Sequence, residues 1–297
     1  MFEISGMSGD EIVYINGKFC KAKEAAISPF DRGFVLGDGI YEVAPVVNSK
    51  ICDRADFWER FERSAAQIEL KIPYSREKYE EILYELIAQG GVSEGAFYTQ
   101  ITRGAAMRDF DYVRGIEPSV FAFVYHTQIF DNPLAKEGIE IVSLPEIRWH
   151  RRDIKSISLL AQCILKHEAH RAGAYECFLI EDGLVTECSS SSAFIIKDDV
   201  LITRPLSNDI LPGIRRKVIL GLAEQAGLSV QQRAFGMSEV YEADEAFISA
   251  ATLMVLPIVK ADGRAIGGGA VGKYVPRLRE MYAARLRAEA RGKAQTF

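Results

Sequence analysis

The sequence predicts an α+β chain organised as two domains, and three observations carry that prediction. Apolar and polar residues alternate over short segments that fold back at Asn-Gly, Asn-Ser, Asp-Gly and Asp-Asp pairs, which is hairpin chemistry. Helical periodicity appears in blocks interspersed among these hairpins, so the strands are not wound as a regular βαβ series. Finally, QIFDNPLAKEG (128–138) is polar, holds a Pro and a Gly, and separates two regions of different rhythm. It reads as a linker between an N-terminal domain over 1–127 and a larger domain over 139–297.

The elements follow in order. EIVYING and KFCKAKEAAIS form an opening hairpin turning at Asn16-Gly17. YEVAPVVNSKICD is a second strand pair, turning at Asn48-Ser49. From Arg54 to about Leu70, Phe57, Phe61, Ala65 and Ile68 fall on one helical stripe. Ser75 caps a helix through Ile87 that stops at Gly90-Gly91. AFYTQITRG and VFAFVYHT read as strands, as does IEIVSL beyond the linker. Ser158 to Ala172 is a helix ending at Gly173, and residues 176–205 are short strands turning at Asp182-Gly183 and Asp198-Asp199. Pro212-Gly213 opens the helix GIRRKVILGLAEQAG. EAFISAATLMVLPIV reads mostly as strand, and GKYVPRLREMYAARLRAEA as a terminal helix.

Composition narrows the function classes. The chain has 297 residues, 36 basic and 41 acidic, for a net charge of −5. Its basic clusters are short (Arg148, Arg151 and Arg152; Arg215 and Arg216), so nucleic acid is not an expected partner. No apolar run has the length of a membrane span, and the N-terminus lacks a basic start followed by an apolar segment. The five cysteines, Cys20, Cys52, Cys163, Cys177 and Cys188, are scattered and include no CxxC; they read as reduced thiols in a cytoplasmic protein. His167 and His170 stand three apart on a predicted helix, but no Cys or carboxylate cluster supports them, so no metal is expected.

Three features of the second half carry chemistry. Lys155, in RRDIKSISLL, sits where the chain turns apolar, and a lysine there is either a snorkelling strand-end cation or a functional amine. Glu187, in GLVTECSSSS, ends an apolar strand ahead of four serines, which otherwise read as a turn. ILPGIRR opens a helix, and free N–H groups at a helix start hold anions. Jointly they match an aldehyde cofactor with a phosphate tail and a basic ring nitrogen. A lysine forms a Schiff base with such an aldehyde, a carboxylate pairs with the protonated nitrogen, and a helix start seats the phosphate. That describes pyridoxal 5′-phosphate, which on spacing alone is one candidate among several.

The ordered motifs DRGFVLGDGIYEV (31–43), YTQITRG (98–104), EIRWHRRDIKSISLL (146–160), KHEAHRAGAYE (166–176), VTECSSS (185–191) and LPGIRR (211–216) go further. Through them the chain resembles the fold-type IV pyridoxal-phosphate enzymes, and within that group the D-amino-acid aminotransferases, over almost its full length. The resemblance implies a small α/β domain and a larger domain with a barrel-like sheet, with the cofactor between them, in a homodimer. It gives Lys155 the Schiff-base role and Glu187 the ring nitrogen. Arg60, Gly213, Ile214 and Arg215 take the phosphate, with Ala251 and Thr252 in the SAATL segment, and Arg148 lies near the ring hydroxyl. Tyr41 and Arg108 hold the substrate carboxylate, the arginine arriving from the partner subunit.

The chain departs from that pattern at several positions. Phe110 stands where the resemblance expects a histidine beside the carboxylate, Phe57 where it expects a histidine, Cys188 a glycine and Ser192 an asparagine. Arg215 and Ala251 replace threonines of the phosphate site. Phe110 removes a donor and adds apolar wall. The expected reaction is therefore transfer of an amino group between a D-amino acid, or an (R)-configured primary amine, and a 2-oxo acid. The alternatives are a branched-chain L-amino-acid aminotransferase, an aminodeoxychorismate lyase, and a non-enzymatic protein on the same fold.

Overall fold

In the computed structural model, which describes residues 8–292, the chain divides into two compact units. One holds residues up to Gln128 together with Ile154–Ser158 and Ala290–Gly292; the other holds Ile129–Asp153 and Leu159–Glu289. The short segment carrying Lys155, from within the 139–297 stretch, thus belongs with the first unit. In the stretch read as a linker, Ile129 is buried and a one-turn helix forms over 134–137.

The first unit is a six-stranded antiparallel sheet with two long helices. Its elements are β1 (Ile12–Ile15), β2 (Lys18–Lys21), α1 (Arg32–Leu36), β3 (Gly39–Val47), β4 (Lys50–Ile51), α2 (Arg54–Gln67), α3 (Arg76–Gln89), β5 (Glu94–Thr102) and β6 (Ser119–His126), with strand order β2-β1-β6-β5-β3-β4. Both predicted hairpin turns are present. Asn16 and Gly17 (φ 44° and 91°) and Asn48 and Ser49 (φ 49° and 58°) adopt the left-handed pairs that match the twist of their strands. Phe57, Phe61 and Ala65 of the α2 stripe are buried, with Phe57, Phe61 and Tyr79 of α3 packed ring against ring, while Ile68 lies past the helix end and is half-buried. The helix ends at Gln67 because Glu69 turns left-handed (φ 50°). Ser75 caps α3, its Oγ accepting from Lys78 N at 3.3 Å. The short helix α1 carries too little periodicity to be read from sequence.

The second unit comprises α4 (Leu134–Glu137), β7 (Ile139–Pro145), α5 (Leu160–Arg171), β8 (Glu176–Glu181), β9 (Leu184–Cys188), β10 (Ser192–Lys197), β11 (Val200–Thr203), α6 (Ile214–Ala223), β12 (Ser229–Gln232), α7 (Met237–Glu242), β13 (Glu245–Ala250), β14 (Met254–Ala261), β15 (Arg264–Ala265) and α8 (Tyr274–Ala290). Its sheet runs β12-β11-β10-β13-β14-β7-β8-β9, with β15 beside β14. It curls strongly enough that β9, at one edge, comes beside β10, giving the barrel-like form expected. Phe178, Val185, Ile195, Phe235, Ile248 and Leu256 fill the interior. EAFISAATLMVLPIV is mostly strand, as expected, in two strands joined by a turn at 251–253 that leads into a left-handed Met254 (φ 54°). One reading needs correction. The helix expected from Ser158 starts at Leu160, and Leu160 is 75% exposed, so the chain after Lys155 does not enter a core at once.

One contact fixes the open end of β3. β4 pairs only with Val46 and Val47, so the other end of that edge is free to take Lys155–Ile157 as a short antiparallel addition. Tyr41 N donates to Lys155 O at 3.0 Å, and Ile157 N donates to Gly39 O at 3.1 Å. Gly39 is required there: a Cβ would stand 2.5 Å from Ile101 O and 2.9 Å from Ile157 Cδ1. Gly39→Ala should therefore destabilise the protein by about 1–3 kcal/mol, a fall of about 2–4 °C in Tm per kcal/mol. Thermal unfolding checks this; an unchanged Tm would mean that the two segments separate without cost.

Candidate active site

In the first unit, strand pairing delivers Lys155 beside Tyr41. Its backbone N–H donates to Ser64 Oγ of α2 at 3.3 Å, and its Nζ lies 4.2 Å from the centroid of the Tyr41 ring. The Tyr41 ring stacks on Tyr98 at 5.5 Å. The neighbouring residue of β3, Glu42, points to the opposite face and is fully buried. It accepts from Arg60 Nε at 2.7 Å and Nη2 at 2.8 Å, a bidentate pair that fixes the guanidinium. Sequence reasoning missed Glu42 and Ser64. A lone carboxylate in the apolar run GIYEVAPVV was the available signal for Glu42.

Arg108 and Phe110 occupy the exposed 104–118 connection between β5 and β6. Both are solvent-exposed, and the Arg108 guanidinium lies 4.7 Å from the Phe110 ring centroid. The structure thus brings these two together, and separately brings Lys155 to Tyr41. A cavity of about 300 Å³ in the same unit, lined by Ile27, Phe34, Gln100, Phe121 and Ile157 among others, includes none of the four.

In the second unit, Glu187 lies on β9 and is buried. Its Oε1 accepts from Arg148 Nη1 at 2.7 Å, and both its oxygens lie 3.2 Å from Leu211 N. Arg148 in turn donates from Nη2 to Glu146 Oε2 at 2.6 Å. Glu146 also accepts from Thr186 Oγ1 at 2.8 Å and has Arg152 Nε at 3.5 Å. Arg152 continues to Glu181 at 2.8 Å. The result is a chain of alternating charges, buried from Glu187 to Arg152 and half-exposed at Glu181. Burial pushes the Glu187 carboxyl above its ordinary range, against the pull of Arg148. Burial also acts to raise Glu146, but hydrogen bonds and charge from Arg148 outweigh it and hold that carboxyl low. Arg148, desolvated but faced by two carboxylates, is held more firmly protonated than usual.

Gly213, Ile214 and Arg215 form the start of α6, whose first-turn N–H groups have no acceptor within the helix. Gly213 approaches Ser192 so closely that a Cβ would lie 2.7 Å from its Oγ. Arg215 and Arg216 are both buried; Arg216 donates to Arg204 O at 2.7 Å and Gln232 Oε1 at 2.9 Å, and burial pushes its pKa down to about 10. Ala251 and Thr252 lie in the half-buried turn between β13 and β14. Cys188, the neighbour of Glu187, has its thiol pushed well up by burial.

These donors fit a group carrying a phosphate and a protonable ring nitrogen. There is a buried carboxylate and a tight helix start reached only by glycine in the second unit, and the first unit separately holds a buried guanidinium on Glu42 and a half-buried lysine over Tyr41. A metal has a weaker case. His150, Glu181 and Asp209 offer ligand atoms within 4.8 Å of one another. However, Glu181 is already paired with Arg152 and Asp209 with Arg204.

Comparison with known proteins agrees. Residues 39–261 match the amino-transferase class IV family. A D-alanine aminotransferase from Bacillus licheniformis is 36% identical over 260 residues, 88% of this chain and 92% of that protein. One from Staphylococcus aureus is 38% identical over 273 residues, covering 91% and 96%. Among solved structures, the branched-chain amino acid aminotransferase of Escherichia coli superposes with a TM-score of 0.85 at 20% identity, covering 96% of each chain. A hypothetical aminotransferase from Mycobacterium tuberculosis, in its PLP-bound form, gives 0.81 at 19% identity, covering 94% of this chain and 99% of that one.

Removing one link tests the charge chain. Arg148→Met strips the paired cation from Glu187 and leaves Glu146 with Arg152 only, at a cost of about 3–5 kcal/mol near neutral pH. The Glu187 carboxyl, already raised by burial, then loses the charge that opposed the rise and lies further above its unfolded value. The folded protein binds the extra proton at low pH, and stability is lost as pH rises through the raised value. The deficit should therefore be larger at about pH 8 than at about pH 5, as read by urea unfolding at both. Equal deficits would mean that neither carboxyl takes up a proton.

Proposed function

This chain belongs to the class IV aminotransferase family and is a pyridoxal-phosphate-dependent aminotransferase, and from that premise we propose that it moves an amino group between a D-amino acid, or an (R)-configured primary amine, and a 2-oxo acid. Identities of 36–38% to D-alanine aminotransferases over most of the chain support the D-amino acid. The likeness to branched-chain enzymes lies below 25% identity and speaks to the fold alone. Phe110, an exposed ring against Arg108, supports the wider range of donors that includes apolar amines.

The observation that carries the reading is the placement of Lys155, pinned by main-chain bonds with its amine over the Tyr41 ring. Bound pyridoxal phosphate supplies an aldehyde carbon for the amine and a ring that draws electrons from the substrate α-carbon. Lys155 moves the proton at that carbon, as a positioned base and then acid. With the cofactor bound, Glu187 would hold the proton on the ring nitrogen, and Arg148 would steady Glu187 and serve the ring hydroxyl. The residues that would hold the phosphate are Arg60, oriented by Glu42, together with Gly213, Ile214 and Arg215 at the start of α6 and the turn of Ala251 and Thr252. Tyr41 and Arg108 orient the substrate carboxylate. Exposed apolar side chains on the first unit, Phe30, Phe34, Met107 and Phe110, support a homodimer in which Arg108 acts on the partner's site. Five scattered cysteines with no CxxC support a cytoplasmic setting.

The decisive experiment is a half-reaction screen of the yellow holoenzyme against D-alanine, D-glutamate, L-leucine and (R)-1-phenylethylamine. Bleaching by the D- or (R)-donors is expected, and bleaching by L-leucine alone would overturn the reading. Lys155→Ala should lower turnover by at least about 10²–10⁴-fold, and borohydride reduction with peptide mapping should label Lys155; label on another lysine defeats the assignment.

Arg108→Ala should cost D-alanine roughly ten- to a hundredfold in catalytic efficiency, the worth of a charge-assisted bidentate pair. (R)-1-phenylethylamine, which has no carboxylate, should lose far less. Phe110→His should shift the same ratio the opposite way, towards the amino acid. If Arg108→Ala leaves the ratio of the two efficiencies unchanged, Arg108 is not the carboxylate anchor.

A further inference from the structure

Two arginines of the first unit share a single carboxylate. Arg32 and Arg103 are buried, and Asp38 stands between them. Asp38 Oδ2 accepts from Arg32 Nε at 2.8 Å and from Arg103 Nε at 2.8 Å, and Oδ1 accepts from Arg103 Nη2 at 3.1 Å. One carboxylate cannot neutralise two guanidinium groups, so the surplus charge is met by backbone carbonyls. Arg103 donates to Ile68 O at 2.7 Å and Glu69 O at 3.1 Å, which fastens it to the end of α2. Arg32 donates from Nη1 to Asp109 O at 2.7 Å. Asp109 lies between Arg108 and Phe110. The same exposed connection is touched a second time, where the Arg103 guanidinium lies 3.6 Å from the centroid of the Tyr112 ring.

We infer that Arg32, with Asp38 and Arg103, positions the 108–112 segment and so sets where Arg108 and Phe110 stand. These are positioning residues and touch no substrate. The inference rests on the proposed role of Arg108 in holding the carboxylate. A guanidinium suits the task because its planar fork serves a carboxylate on one side and a carbonyl on the other. A lysine has one compact head group and cannot hold both in that geometry. Arg32→Lys therefore keeps the charge beside Asp38 but gives up Asp109 O. Tyr112→Leu removes the second tether at a half-exposed position, where loss of the ring leaves the core untouched.

The test uses the holoenzyme of wild type, Arg32→Lys and Tyr112→Leu. Hydrogen–deuterium exchange should accelerate over residues 107–113 by about tenfold or more in Arg32→Lys, the worth of one charge-assisted hydrogen bond, and severalfold in Tyr112→Leu. Exchange in α2 and α3 should be unchanged. For D-alanine the loss should fall on KM rather than kcat, while KM for (R)-1-phenylethylamine moves much less. Unchanged exchange over 107–113 in both variants overturns the inference whatever the activity. Accelerated exchange with equal KM changes for both donors overturns the link to Arg108. A wild type that turns over neither donor defeats the proposed reaction instead, and the exchange result still decides the anchoring.

Discussion

Everything asked of Lys155 depends on two main-chain hydrogen bonds. A lysine side chain has four rotatable carbons and gains little precision from its own packing. Precision comes from the backbone, which is locked to β3 through Tyr41 N and Gly39 O. Sheet pairing is cooperative and directional, so it sets the position and facing of residue 155 together. Gly39 fits the same place, since a side chain there would meet the β5 carbonyl of Ile101 first and the Ile157 side chain second. Tyr41 and Glu42 then point to opposite faces of the same strand, one towards the amine and the other towards the buried guanidinium of Arg60.

Both units solve the problem of buried charge in the same way, by sharing. Glu42 takes a bidentate pair from Arg60, Asp38 serves two arginines, and Glu146 and Glu187 flank Arg148. Such networks are costly to assemble and more costly to break singly, because each partner removed leaves a desolvated ion behind. They hold side chains in one arrangement, which is the property a site with several fixed donors requires.

Much of this was legible in the sequence, and the reasons are local. Hairpins announce themselves through Asn16-Gly17, Asn48-Ser49 and Asp182-Gly183, because left-handed turns tolerate few residue types. The α2 stripe and the Ser75 cap are equally local. Lys155 and Glu187 also stood out by their apolar settings, whereas the roles given to Arg60, Arg148, Tyr41 and Arg108 rest on motif order alone. What could not be read was the pairing of distant polar groups. Nothing near Arg60 in sequence names Glu42, and nothing near Asp38 names Arg103, since each pair is made by tertiary packing across at least 18 positions. The turn within SAATL was not located because it leads into a left-handed Met254, a residue type that gives no warning.

The exposed connection between β5 and β6 has a consequence for the history of the chain. It is tethered at Asp109 through a backbone carbonyl and at Tyr112 through a ring, so the first tether makes no demand on which side chain occupies 109. Met107, Arg108 and Phe110 face solvent and support no core. Lineages can therefore exchange residues at these three positions at small cost to folding, while the lysine and its strand stay unaltered. With Arg108 and Phe110 in the roles proposed for them, donor preference can change at this connection without disturbing the strand that holds the lysine.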